Sequence, residues 1–235
     1  MSIATGFFWQ YGDDLFLVTN YHVASGMDPE TNQPLDRGGR TPDRLELSIL
    51  DASGLASWKS LEIELCGSQQ RPVWLEHPKY SSKVDVVAIP INPGESYRML
   101  PINGLKYDEF RFEISQDVFI IGFPRGVTGS GRFPVFKRGS IATEPSINLD
   151  GVPKILIDSA TREGRSGSPV IAQYTGYYSN EPGHMTSNDW FGTGRRFLGI
   201  YSGRNIDEDE LAAKLGIVWK APVIEEIIMG GVRPK

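Results

Sequence analysis

Short apolar runs separated by polar, glycine- and proline-rich breaks recur along the chain, a spacing that predicts many short strands. Residues 4–9 and 15–19 flank Tyr11-Gly12-Asp13-Asp14 as the arms of a hairpin. The stretch 25–44 is polar, carries Gly38-Gly39 and three prolines, and reads as a surface loop. Residues 45–50 and 61–65 alternate apolar and polar positions with a period of two, the pattern of half-buried strands, and 72–75 and 84–91 extend the series.

Between 92 and 115 the strand pattern lapses, which predicts a join between two halves, residues 1–100 and 101–235. Strands are expected again at 118–121, 135–142, 154–159, 170–173 and 197–202, with a long polar loop over 174–196. Two segments read as helical, 207–215 and 222–229, the second with proline in its first turn and glycines after it. The expected class is all-β: two packed sets of short antiparallel strands, barrels or sandwiches, with a short C-terminal helix.

At 235 residues the chain buries roughly three quarters of its unfolded surface, enough for a sizeable core without covalent staples. Its single cysteine, Cys66, excludes an intrachain disulfide and points to a reducing compartment. Nothing around Cys66 suggests a nucleophile. The net charge of -5, with no clustered basic stripe, argues against a nucleic-acid partner. The first residues lack a basic segment ahead of an apolar run, and no stretch nears the roughly 18 apolar residues of a membrane span. The expected location is cytoplasmic, with no membrane partner. No zinc spacing and no phosphate-binding glycine loop occur, so neither a metal nor a cofactor is expected.

Three segments carry candidate chemistry. His22, in VTNYHV, follows an apolar strand, and a strand end is a rigid mount for a general base. A histidine that merely caps a strand fits equally well. Asp85, in KVDVVAI, heads a run of aliphatics; a carboxylate there needs a hydrogen-bond partner, and a histidine ring N–H is a suitable one. A simple strand cap is its other reading. Ser166 sits in Gly164-Arg165-Ser166-Gly167-Ser168-Pro169, whose small residues allow a tight turn and equally leave a serine hydroxyl bare, with the N–H groups of Gly164 and Ser166 free to face one way. His77 and His184 lack such settings and read as surface residues.

These segments stand in the order His22, Asp85, Ser166, and together with TGFFW, IGFPRG, PVFKRGSIA, ILIDSATREGRSGSPVI and FLGIYSG they resemble the trypsin-like, chymotrypsin-fold serine proteases. The resemblance is to the bacterial HtrA-type and cytoplasmic branch, without a PDZ domain, and it spans most of the chain. It implies two packed antiparallel β-barrels, the first carrying His22 and Asp85 and the second Ser166. It also implies a catalytic triad of His22, Asp85 and Ser166, and an oxyanion hole from the N–H groups of Gly164 and Ser166.

The resemblance further implies a substrate-binding pocket at Ala160, Thr161, Ser202, Gly203, Arg204 and Gly216. Ala160 supplies no acid, so selection of Lys or Arg is not expected. Arg204 could fill the pocket, pair with an acidic side chain, or be solvated. Ser202 and Gly203 would pair with substrate backbone.

The departures also matter. Digestive members hold an aspartate just before the serine to capture a newly cut N-terminus; Arg165 cannot do this, so control would come from loop ordering, a partner or a ligand. Ser168 stands where the family usually has glycine, a small change expected to be tolerated. TGFFW begins close to Met1, so the first barrel is expected to lack its usual first strand, leaving an edge for an upstream segment or an activating protein partner to cover. The expected activity is a serine endopeptidase acting on a protein or peptide; the alternative is a silent peptide-binding or sensor module on the same fold.

Overall fold

The computed structural model describes residues 3–54, 57–67, 71–126, 133–159, 164–179, 186, 189–204 and 215–234, with backbone only at 125 and 204. The first half opens with β1 (Phe7–Tyr11) and β2 (Asp14–Thr19), an antiparallel hairpin in register from Phe7↔Val18 to Tyr11↔Asp14. A single helical turn, α1 (Tyr21–Ser25), follows β2 directly. Next come β3 (Arg44–Leu50), β4 (Trp58–Glu64) and β5 (Val87–Ile91), the last pairing with β2 from Leu15↔Ile91 to Thr19↔Val87. The described ladders in this half are a three-stranded sheet, β1-β2-β5, and the separate hairpin β3-β4.

The second half holds β6 (Asp117–Gly122), β7 (Val135–Ile141), β8 (Lys154–Asp158), β9 (Pro169–Tyr178), β10 (Trp190–Arg204) and β11 (Leu215–Lys220), followed by α2 (Pro222–Gly230). These six strands close into a barrel in the order β10-β11-β8-β7-β6-β9. The outer edge of β1 is met by the connecting segment between the halves. Phe8 bridges to Pro101, and the Asn103 amide imitates a neighbouring strand: it accepts from Gln10 N at 3.0 Å and donates to Gln10 O at 2.7 Å. Part of the edge expected to need an outside cover is thus covered from within the chain.

Several expectations change. Residues 72–75 form only isolated bridges, Cys66↔Pro72 and Leu75↔Ala88, and the strand expected from residue 84 begins at Val87 because a tight turn precedes it. The expected loop over 174–196 is strand at both ends, 174–178 and 190–196. β9 and β10 run on together to Tyr178↔Trp190, because Tyr174, Tyr178 and Trp190 pack with Phe110 into an aromatic cluster that holds the ribbon together. The helix expected at 207–215 falls outside the described residues except for Leu215, which opens β11.

Three cores result. One fills the barrel with Val118, Ile120, Ile141, Ile155, Ile157 and Val170. A second, with Leu17, Leu65, Trp74 and Ile89, lies under the first half. The third joins the halves: Phe7, Trp9 and Val18 meet Phe197, Ile200 and Trp219. The helix α2 seals that junction with Val223, Ile224 and Ile227, all fully buried, worth on the order of 1.5–3 kcal/mol each. The two halves are thereby held against each other, and Ser202 of the second reaches Asp85 of the first.

Candidate active site

His22 lies in α1 rather than in a loop, one residue into a turn that begins where β2 ends and closes at Gly26, whose N–H returns to His22 O at 3.0 Å. Asp85 is presented by a different device. Val86 N donates to Val84 O at 2.7 Å, a turn so tight that the two fully buried valines face the core while the residue between them points away.

The two side chains meet with His22 Nδ1 2.7 Å from Asp85 Oδ2, and the His22 amide donates to Asp85 Oδ1 at 2.9 Å. Asn20, itself buried, donates through its side-chain amide to Asp85 O at 2.6 Å. A third donor is Ser202, whose hydroxyl binds Asp85 Oδ2. The Asp85 side chain is only 4% exposed, so the donors from His22 and Ser202 replace the water that a buried carboxylate would otherwise need.

Ser202 reaches Asp85 because β10 is irregular there. Tyr201 pairs with Val218 and Arg204 with Gly216, so Ser202 and Gly203 together face one residue of β11, a bulge that re-aims the side chains around it. Ser166 comes to the same place. A Cβ built on Gly203 would stand 4.0 Å from Ser166 Oγ.

The loop around Ser166 is a turn, and it is the turn that lifts the serine out. Ser168 N donates to Arg165 O at 3.0 Å, and Gly167, at the third position, has φ +80°, a type II pattern that glycine supplies at no steric cost. Ser166 occupies the corner and is half-exposed between buried neighbours. Gly167 N donates to Tyr201 O at 2.9 Å and Tyr201 N to Ser168 O at 2.8 Å, lacing the turn to β10. A Cβ on Gly167 would collide with Thr5 O, so no larger residue fits.

Arg165 is buried, at 5% exposure, and donates through Nη1 to Ile120 O at 3.0 Å. Burial pulls its guanidinium below the ordinary value, with Tyr201 acting the other way. It is a loop-pairing residue, not a solvated one. Ser168 is accommodated because Gly122, opposite its hydroxyl, has no side chain.

Of the expected pocket residues, Ser202, Gly203 and Gly216 lie together at the β10–β11 bulge, and the missing side chain at Gly216 makes room for the Tyr201 ring. Arg204 belongs to β10 through its backbone; its side chain, with Ala160, Thr161 and His184, lies outside the described residues. His77 corrects its reading as a surface residue: it is 3% exposed, bonded to Glu226 Oε2 at 2.8 Å and capped at Nδ1 by the Lys79 N–H. Cys66 is an exposed free thiol. Among the described residues no group of His, Cys, Asp and Glu is arranged to hold a metal ion, and no helix is long and apolar enough to cross a membrane.

Sequence reasoning missed the contact of Ser202 with Asp85 and the parts played by Asn20 and Thr5. The only trace of them is small polar residues set within apolar stretches. The β-rich architecture is that of the trypsin-like fold. The chain belongs to the trypsin-like peptidase domain family, whose model matches residues 4–177. Ser202, Gly203 and Gly216 lie beyond the matched span, so their place in the site rests on geometry.

Among solved structures the chain is similar to the HtrA-type protease AlgW with tripeptide, at 13% identity and a TM-score of 0.47, covering 94% of this chain and 52% of that one. It is also similar to the Rv3671c protease from M. tuberculosis in its active form, at 15% identity and a TM-score of 0.38, covering 83% of each. The chain thus spans about half the length of the first of these. No curated protein sequence matches it.

Proposed function

We propose that the protein is a serine endopeptidase that hydrolyses peptide bonds of a protein substrate through an acyl-enzyme. Ser166 Oγ attacks the scissile carbonyl, His22 accepts its proton and later returns it to the leaving amine, and Asp85 holds His22 in the required tautomer. The N–H groups of Gly164 and Ser166 receive the oxyanion. The first half, residues 1–100, brings His22 and Asp85, and the second, residues 101–235, brings Ser166. Ser202 and Gly203 offer backbone to an extended substrate, with Ala160, Thr161, Arg204 and Gly216 around the side chain that precedes the cut. The chemistry needs neither a metal nor a cofactor.

The observation that carries this reading is the linked set: a His22 nitrogen on a buried Asp85 carboxylate, bridged by Ser202 to the bulge whose next residue adjoins Ser166. A fluorophosphonate probe with a peptide library tests it. Wild type is expected to label at Ser166 and to cut peptides, and Ser166→Ala to do neither. Cleavage that survives in Ser166→Ala would sink the reading. Tight binding of uncut peptide, equal in wild type and Ser166→Ala, would instead identify a silent binding module.

A further inference from the structure

We propose that Thr5 is a positioning residue that clamps the nucleophile loop from the first half of the chain and so fixes the direction of the Ser166 N–H; its catalytic meaning rests on the reading of Ser166 as nucleophile. Thr5 is 5% exposed, stands just ahead of β1, and uses every polar group it has on this region. Its amide donates to Ser166 O at 2.8 Å, and its hydroxyl donates to Gly164 O at 3.0 Å. The same hydroxyl accepts from Phe123 N at 3.2 Å, at the end of β6. Its carbonyl accepts from Thr19 Oγ1 at 2.9 Å, which ties it to β2.

These bonds bracket Arg165. The carbonyls of 164 and 166 are both held by Thr5, and the carbonyl between them, Arg165 O, is held by Ser168 N. In a planar trans peptide the N–H of one residue points opposite the carbonyl of the residue before it. Three consecutive held carbonyls therefore fix the N–H groups of 165, 166 and 167, with the Ser166 N–H in the middle plane. The contact is too close to tolerate any side chain at Gly167, and a Cβ on Gly122 would stand 2.8 Å from Thr5 Oγ1. With Arg165 anchored separately on Ile120 O, the loop is held by groups of the folded chain itself, without a charged terminus to pair with.

Thr5→Val keeps the branched shape and the amide bond to Ser166 but removes the hydroxyl. Thr5→Ser restores the hydroxyl, and Thr5→Ala serves if the valine variant does not fold. Hydrogen–deuterium exchange over residues 164–168 reads the clamp whether or not the protein cleaves anything. Exchange there is expected to quicken about 10-fold in Thr5→Val and to return near wild type in Thr5→Ser, with the barrel strands unchanged. On a cleaved peptide, kcat is expected to fall about 10- to 100-fold with KM unchanged, somewhat less than the loss of an oxyanion donor outright. If local exchange drops in protection while wild type cleaves nothing, the clamp stands and the peptidase reading fails. If wild type cleaves and Thr5→Val matches it in exchange and kcat, or loosens uniformly across the fold, the clamp is overturned.

Discussion

Ser202 donates its hydroxyl to Asp85 Oδ2, the same carboxylate oxygen that lies 2.7 Å from His22 Nδ1. The donor comes from the second half and the acceptor from the first, so one hydrogen bond joins the halves at the site. A hydrogen bond to a charged group contributes about 1.5–3 kcal/mol. Ser202→Ala is therefore expected to lower kcat about 10-fold or more in a peptide-hydrolysis assay while Ser166 still labels, more slowly, with fluorophosphonate. Unchanged kinetics would show that Asp85 needs only His22 and its amide.

Gly167 combines a positive φ of +80° with a backbone approach by Thr5 that admits no side chain. Gly167→Ala should push Thr5 away and undo the lacing to Tyr201, costing at least about 2 kcal/mol. Thermal unfolding checks the stability, and probe labelling should be nearly abolished even well below the new Tm.

His77 fastens the turn after Glu76 to α2 through Glu226 and caps the N–H groups of Lys79 and Tyr80 at 3.1 and 3.3 Å. His77→Ala removes a buried ring and the acceptor of those two part-buried N–H groups, so a loss of about 1–3 kcal/mol is expected in urea unfolding. Glu226→Gln should cost much less, since that side chain is 50% exposed and an amide can still bond the ring.

Asp51 bonds Lys59 Nζ at 2.8 Å and takes the Ser53 N–H and hydroxyl, which hold its carboxyl at about 2, the lysine contributing most. A carboxyl lowered from about 3.9 adds stability that is complete above the unfolded value and lost as pH falls through the folded one. Tm should therefore decline between about pH 4 and pH 2, with Asp36 and Asp189, also held at about 2, contributing to the same fall. Asp51→Asn should lower Tm at pH 6 and make the decline shallower; an identical slope would remove Asp51 from the account.

Much of the fold was legible because strand alternation and turn chemistry are local. The hairpin 7–19, the pair at 44–50 and 58–64, and the proline-led helix α2 all arise from neighbours a few residues apart. The misses have a common cause. Residues 174–196 look polar, and only the aromatic cluster around Phe110 makes strands of their ends. His77 looks exposed in EHPKY, and only α2, packed against it from 149 residues away, buries it.

By itself the sequence determined the β class and the small-residue turn that carries Ser166, since each depends on residues next to it. The tertiary structure alone decided that Arg165 is buried on Ile120 O, that Ser202 serves Asp85 and that Thr5 holds the carbonyls on both sides of Arg165. Those partners lie far apart in the chain. Closure of the barrel sets Arg165 on Ile120 O, and the packing of one half on the other, sealed by α2, brings the remaining donors and acceptors within hydrogen-bond reach.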